Sequence, residues 1–142
     1  MDLQALFSIK NKTAVITGGS GALGSAMARG LAQAGVRVAI LSLHLESAER
    51  VAAAIRADGD AAVGIGCDVV DRISLEQARE QVHRAFGPVD ILINAAGGNN
   101  PHATTTVYSA AKAAVANFAS WLAVYMAQEY SPRIRVKTYP HI

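Results

Sequence analysis

The chain contains little cysteine and little charge, and both shortages exclude classes of protein. Cys67 is the single cysteine among 142 residues, so an internal disulfide is excluded and a reducing compartment, the cytoplasm, is expected. Charged residues make up only 17% of the chain, and the formal net charge is +2. This balance, without a basic stripe interleaved with aromatic residues, predicts that nucleic acid is not a partner.

Long apolar runs, a leader segment and clustered metal ligands are missing as well. Residues 113–127 carry no charge, but the run is short for a membrane span and contains Asn117, Ser120 and Trp121. No basic region followed by an apolar run opens the chain, so we expect no signal peptide. The histidines do not recur at metal-ligand spacing, so no metal is expected. Neither a membrane nor a metal ion is therefore a predicted partner.

What the sequence does contain is a regular alternation of short apolar runs and helical patterns. With 51% hydrophobic residues, residues 1–142 are sufficient for one domain with its own core. The alternation predicts an α/β fold, a doubly wound parallel sheet of Rossmann type with about five strands and helices on both faces. Predicted strands span 13–17, 36–41, 61–67, 89–94 and 133–138, and predicted helices span 22–34, 45–57, 74–87 and 107–129.

Two details of these elements are specific enough to be checked. Ser74 and Gln77 have the spacing of a capping box, which predicts that the third helix begins at Ser74. The last strand follows a helix long enough for a right-handed crossover. We therefore expect it beside the fourth strand, in the order 3-2-1-4-5.

The segment Thr17-Gly18-Gly19-Ser20-Gly21-Ala22-Leu23-Gly24 joins the first strand to the first helix. Glycines adopt positive φ, and without a Cβ they let a diphosphate approach the backbone. The following helix N-terminus supplies free N–H donors and a partial positive charge. The glycines fit G-x-G-x-x-G in its strand–turn–helix context, which predicts a dinucleotide site. A tight turn without a ligand is the alternative. The predicted cofactor contacts are Thr17, Gly18, Gly19, Ser20, Gly21, Leu23 and Gly24.

The ends of the third and fourth strands should lie at the same edge of the sheet. Asp68 could accept a hydrogen bond from an adenine amino group, with Val69 beside the ring, or it could cap the following turn. The small residues of Asn94-Ala95-Ala96-Gly97 would allow a flat ring or a ribose to pass close to the backbone. Asn94 could also join neighbouring strands.

Tyr108 and Lys112 form a second signal, four residues apart in the longest predicted helix. Positions i and i+4 lie on one face of a helix. A nearby ammonium favours the phenolate, which lowers the pKa of the tyrosine toward the range of a general acid or base. A solvated helix face is the alternative for this pair when it is taken alone.

Together these motifs resemble those of the short-chain dehydrogenase/reductase family over residues 10–136. The glycine turn and residues 96–101 and 103–105 are similar to a subgroup that acts on sugar acids, the fructuronate (mannonate) reductases. The resemblance implies hydride transfer between a nicotinamide and a hydroxyl or carbonyl group of a small polar substrate. It also implies that Tyr108 is the acid/base and that Lys112 lowers its pKa and binds the nicotinamide ribose. Ala22 departs from the pattern, since most of the family has glycine there.

The resemblance leaves the cofactor open between NAD and NADP. Members that prefer NAD often carry an acid at the end of the second strand, which here reads Ser42-Leu43-His44. No carboxylate there would repel a 2′-phosphate, and no arginine at Leu43 would bind one. Ser42 and His44 could contact such a phosphate weakly.

Other features of the family have no counterpart in this sequence. Only ten residues lie between Gly97 and Tyr108, where the family has two helices, a strand, a catalytic serine and a relay asparagine. The sequence also stops before the family's substrate-covering region, so we expect no lid. Two functions therefore stay open: an oxidoreductase of this family, or a dinucleotide-binding remnant without catalysis.

The long helix predicts self-association. One helix with this much apolar surface needs cover on more than one side, so we expect a homo-oligomer or, as the alternative, an aggregation-prone monomer. Its large apolar residues are Val115, Phe118, Trp121, Leu122, Val124, Tyr125 and Met126.

Overall fold

A five-stranded parallel sheet forms the centre of the molecule, in the order β3-β2-β1-β4-β5. The computed structural model describes residues 7–96, 106–129 and 135–137, without the side chains of residues 106–116, 135 and 137. The strands are β1 (Thr13–Thr17), β2 (Arg37–Ser42), β3 (Ala62–Gly66), β4 (Ile91–Asn94) and β5 (Arg135–Lys137). The helices are α1 (Ala22–Gln33), α2 (Leu45–Ala57), α3 (Arg72–Phe86) and α4 (Thr106–Glu129).

The two faces of the sheet bury separate apolar clusters, because side chains alternate along a strand. On one face, Ile16 and Ile40 pack with Ala28 of α1 and Ile55 of α2. On the other face, the cluster includes Val15, Leu41, Ile65 and residues of α3. Every residue of β1 is buried, as expected for a strand covered on both faces.

The predicted topology is confirmed at its most specific point, the position of the last strand. β5 pairs in parallel with β4, and Ile91 lies opposite Arg135. The predicted order 3-2-1-4-5 is therefore the observed one. The predicted bounds of the other elements agree with the observed ones or differ by one or two residues, and the ends of the predicted last strand lie outside the described residues.

The predicted start of the third helix was wrong. Asp71 is the N-cap of α3, and its carboxylate accepts a hydrogen bond from the Ile73 N–H at 3.0 Å. The Ser74 hydroxyl instead accepts the Asp68 N–H at 2.9 Å, so it does not cap the helix. Asp71 caps the helix instead of Ser74 because the backbone of Asp71 is extended and Asp71 directly precedes the first helical residue.

No helix in the described ranges is long and apolar enough to cross a membrane. The longest, α4, packs against β5 and buries Ala119, while Phe118 and Trp121 are more than half exposed. Among the α4 residues whose side chains are described, one side of the helix is therefore packed against the protein, and large aromatic residues on the rest of its surface are exposed.

Asp90 joins the amino ends of β1 and β4. Its carboxylate accepts hydrogen bonds from the Thr13 N–H at 2.9 Å and the Lys12 ammonium at 3.2 Å, and its own N–H donates to the Thr13 carbonyl at 2.9 Å. Burial acts to raise the pKa of this carboxyl, but the hydrogen bonds from Thr13 and Lys12 outweigh it and hold the pKa below its ordinary 3.8.

We expect Asp90→Ala to lower the free energy of unfolding by about 1–2 kcal/mol at pH 7, because Thr13 and Lys12 lose a charged acceptor. A carboxyl with a lowered folded pKa stabilises the fold above its unfolded pKa and loses that effect as pH falls through the folded value. The difference between wild type and variant should therefore shrink below pH 3.8. Urea unfolding of both proteins at several pH values measures this difference in the free energy of unfolding.

Asp58→Ala, at the exposed end of α2, is the matched control and should change stability by less than about 0.5 kcal/mol. Equal effects of the two substitutions, or a difference that does not depend on pH, would contradict this account of Asp90.

Candidate dinucleotide site

A cleft of about 600 Å³ opens at the carboxyl edge of the sheet. The loops after β1, β2, β3 and β4 all contribute to it, because the carboxyl ends of parallel strands share one edge. The cleft-lining residues are Gly18, Ser20, Gly21, Ala22, Leu23, Gly24, Ser42, Leu43, His44, Cys67, Asp68, Val69, Ala95 and Ala96. Most of the predicted cofactor contacts are therefore brought together around one cavity.

The turn after β1 approaches other backbone segments so closely that only glycine fits. Gly18 has a φ of +65°, and a Cβ placed on it would lie 2.6 Å from the carbonyl oxygen of Ala95. A Cβ on Gly24 would lie 2.5 Å from the carbonyl oxygen of Gly18. The Gly19 N–H also donates to the Leu41 carbonyl at 3.0 Å. The turn is thus held against β2, β4 and its own helix.

The N-terminus of α1 faces this cleft with free donors. Gly21 is the N-cap, and no side chain caps the helix or places an acid in its first turn. The first N–H groups of a helix have no partner within the helix, and they carry its partial positive charge. Ala22 is exposed here, which explains why a methyl group is tolerated at this departure from the family pattern. The arrangement suits a phosphate.

Asp68 has the turn-capping role that the sequence left open, and it also lines the cleft. One carboxylate oxygen accepts the Val70 N–H at 3.1 Å, and the other stays available as an acceptor for a ligand. Val69 beside it is 39% exposed. The proposed contact of Asp68 with an adenine amino group stays a prediction.

Three predicted contacts, Thr17, Gly19 and Asn94, lie beneath the cleft lining rather than in it. Asn94 lies opposite Thr17 in the parallel pairing of β4 with β1, and the Thr17 hydroxyl is 3.4 Å from the Asn94 amide oxygen. The same hydroxyl accepts the Ala96 N–H at 3.4 Å. These contacts hold β1, β4 and the start of the following loop together beneath the lining. Asn94 thus joins neighbouring strands, one of the roles that the sequence left open for it.

Sequence reasoning offered His44 only as a weak contact of a 2′-phosphate and did not place Leu43 or Cys67 among the site residues, yet all three line the cleft. Leu43 and His44 directly follow β2, and Cys67 directly follows β3. Their position at the carboxyl ends of two predicted strands was a signal that could have included them. The Cys67 thiol is free and buried.

The other predicted site residues belong to less fully described parts of the chain. Gly97 lies outside the described residues. Tyr108 and Lys112 both belong to α4, so they are four positions apart on one helix, and their side chains lie outside the described part. Within the described ranges, no group of histidine, cysteine and acidic residues has the arrangement of a metal site.

The family model described as short chain dehydrogenase matches residues 12–104. An uncharacterized oxidoreductase UxuB of Bacillus subtilis is 53% identical over 100 residues, which cover 70% of this chain and 36% of that protein. A D-threitol dehydrogenase of Mycolicibacterium smegmatis is 40% identical over 91 residues, covering 64% of this chain and 35% of that protein. The chain thus spans about a third of the length of these curated relatives.

A solved structure with bound NAD is also similar to this chain. It is a protein of Haemophilus influenza provisionally described as a D-mannonate oxidoreductase, with a TM-score of 0.81 and 27% identity. The match covers 96% of this chain and 72% of that one.

We expect Gly24→Ala to destabilise the fold by about 1–3 kcal/mol, because the new methyl group would overlap rigid backbone and force it to shift. Gly30→Ala, in the same helix, is the matched control: a Cβ there meets nothing within 4 Å. It should stabilise the helix by about 0.5–1 kcal/mol. Urea unfolding of both variants checks the pair, and similar effects would contradict the described packing of the turn.

Proposed function

Because the chain belongs to the short-chain dehydrogenase/reductase family, we propose that it binds NAD or NADP in the cleft and transfers a hydride between the nicotinamide and a small polar substrate. The observation that carries this proposal is the glycine turn that leads from β1 into the uncapped N-terminus of α1. Backbone donors and a partial positive charge there suit the diphosphate of a dinucleotide.

The other lining residues fit the rest of a dinucleotide. Asp68 retains one carboxylate oxygen for an adenine amino group, beside the partly exposed Val69. Ala95 and Ala96 are small enough for a ring or ribose to pass close to the backbone. When bound, the nicotinamide supplies the hydride donor or acceptor.

Tyr108 and Lys112 carry the proposed proton transfer. Tyr108 gives a proton to the substrate oxygen during reduction or removes it during oxidation. A lysine four residues on in the same helix can lie near the phenol, and its charge would lower the pKa of the tyrosine. Lys112 would also hold the nicotinamide ribose.

A polyhydroxylated alcohol or sugar acid is the proposed substrate class. The similar proteins include one named for D-threitol and one provisionally named for D-mannonate. Both names describe small molecules with several hydroxyl groups. These names support a small polar substrate for this chain.

Dinucleotide binding without catalysis is the second candidate function, and the position of β5 favours it. β5 lies directly beside β4, and only ten residues separate Gly97 from Tyr108. Adjacent strands are roughly 4.8 Å apart. A helix that enters one strand position away could therefore hold Tyr108 beyond proton-transfer distance of the substrate.

We expect calorimetric titration with NADH to show saturable binding that Gly24→Ala weakens and Gly30→Ala preserves. A folded protein that binds neither NADH nor NADPH would contradict the proposal. Tyr108→Phe should then abolish dehydrogenase activity toward a panel of sugar acids and polyols, because it removes only the phenolic hydroxyl that would give or take the proton. Tyr125→Phe, in the same helix, is the control. Binding without activity toward the panel favours the second candidate.

We also propose that the exposed aromatic side chains of α4 are an interface between copies of the chain. Phe118 and Trp121 stack at 5.9 Å and Trp121 and Tyr125 at 5.0 Å, measured between ring centroids. They are 58%, 57% and 40% exposed, respectively. Exposed apolar patches of this kind commonly mark interaction sites.

Light scattering should show an oligomer in the wild type, and Trp121→Gln should shift it toward monomer because it removes the central ring of the stack. Ile73→Gln, on the exposed side of α3, is the control and should leave the distribution unchanged. A wild-type monomer at all accessible concentrations would contradict the proposal.

A further inference from the structure

The carboxyl end of β5 lies at the same edge of the sheet as the cleft, one strand beyond β4. Lys137, the last residue of β5, is in register with Ile93 of β4. Ala95, two residues after Ile93, lines the cleft. Because a strand rises by roughly 3.3 Å per residue, the backbone of Lys137 is placed roughly 7 Å below the level of that lining. The fold therefore brings a lysine beside the β4 end of the cleft.

Lys137 also shares a face of the sheet with the strand residues that pack against α1. Residues in register across parallel strands lie on the same face, and Ile16 and Ile93, which are paired, belong to one apolar cluster. The pairing of Ile93 with Lys137 extends this row to β5. The same cluster contains Ala28 of α1, the helix whose N-terminus opens onto the cleft. Lys137 is thus placed at the carboxyl edge, on the α1 side of the sheet.

The strand order directs the reacting end of the dinucleotide towards this position. In the proposed function, adenine lies beside Asp68, after β3, and the diphosphate lies at the turn after β1. The nicotinamide then lies further along the order β3-β2-β1-β4-β5, over β4 and towards β5. α4 connects these two parallel strands, so it begins at the carboxyl edge, and Tyr108 is its third residue. The proposed acid/base and Lys137 therefore belong to the same end of the cleft.

The described lining of the cleft offers no side-chain cation to an anionic substrate. Asp68 is the one carboxylate among the described lining residues, and neither lysine nor arginine is among them. The partial positive charge at the N-terminus of α1 is assigned to the diphosphate. A carboxylate that is taken out of water without a partner is costly. A substrate carboxylate bound beyond β4 therefore requires a cation from another part of the chain.

We propose that the Lys137 ammonium binds the carboxylate of the substrate, so that this chain selects sugar acids over uncharged polyols. The inference rests on the proposed function, because it narrows the substrate class of the same cleft. A lysine suits this position, since its charge is carried on a flexible four-carbon stem. Arg135 is on the same face, opposite Ile91, but it is placed roughly 13 Å below the level of the lining.

The test is calorimetric titration of the full chain, saturated with whichever of NADH and NADPH binds more tightly. The ligands are D-mannonate and D-gluconate, and the polyols D-mannitol and D-glucitol, which carry a hydroxymethyl group in place of the carboxylate. No hydride transfer occurs in these complexes, because the dinucleotide and the ligand are both reduced. The wild type should bind at least one acid about tenfold more tightly than its polyol, because charge-assisted hydrogen bonds are the stronger ones.

Lys137→Met should weaken binding of that acid by about tenfold and leave binding of its polyol unchanged. Lys137→Arg keeps the charge and should retain the preference for the acid. Arg135→Met is the matched control, because it removes the same charge from the same face at a greater distance from the cleft. Lys137→Gln repeats the loss of charge if Lys137→Met does not fold. A lysine that only keeps an edge strand from pairing with another sheet would leave the preference unchanged in all four variants.

The outcomes separate this inference from the proposed function. A folded wild type that binds neither dinucleotide overturns both. Dinucleotide binding without a preference for either acid over its polyol overturns the inference alone. So does a preference that survives the loss of charge at Lys137, or one that Arg135→Met reduces as much as Lys137→Met does. A preference that is lost in Lys137→Met and kept in Lys137→Arg and Arg135→Met supports the inference.

Discussion

The contact between the turn after β1 and the backbone around it is the constraint on which the site depends. Gly18 lies against Ala95 and Gly24 lies against Gly18, at separations that leave no room for a Cβ. These contacts join β4, the turn and the first residues of α1 into one unit. The same lack of side chains leaves the helix N-terminus open to the cleft, so a packing requirement and a binding surface arise from the same glycines.

The opposite edge of the sheet holds the same two strands together by a different interaction. Asp90 accepts from Thr13 and Lys12 where β1 and β4 begin, and Thr17 and Asn94 meet where these strands end. The pairing of β1 with β4 is therefore held at both ends. Any change in how β5 pairs with β4 acts on a strand pair whose carboxyl end already carries the cleft.

The position of β5 connects the fold to the question of catalysis. A strand that pairs directly with β4 follows α4, the helix that contains Tyr108 and Lys112. In the described residues the lining of the cleft comes from the loops after the first four strands and includes no residue of this helix. The proposed dinucleotide binding and the proposed proton transfer therefore involve separate parts of the chain. The two candidate functions differ only in whether proton transfer takes place.

The sequence by itself determined the element order, the parallel sheet, the place of the last strand and the glycine cradle. Each of these follows from local patterns, such as apolar periodicity, crossover length and glycine spacing. Tertiary structure decided which contacts each polar side chain makes. Ser74 bonds to the Asp68 N–H instead of capping α3, Thr17 lies beneath the lining, and Ser20 meets Ser42. A side chain's partner depends on which strands become neighbours, and local sequence carries no direct record of contacts between residues distant along the chain.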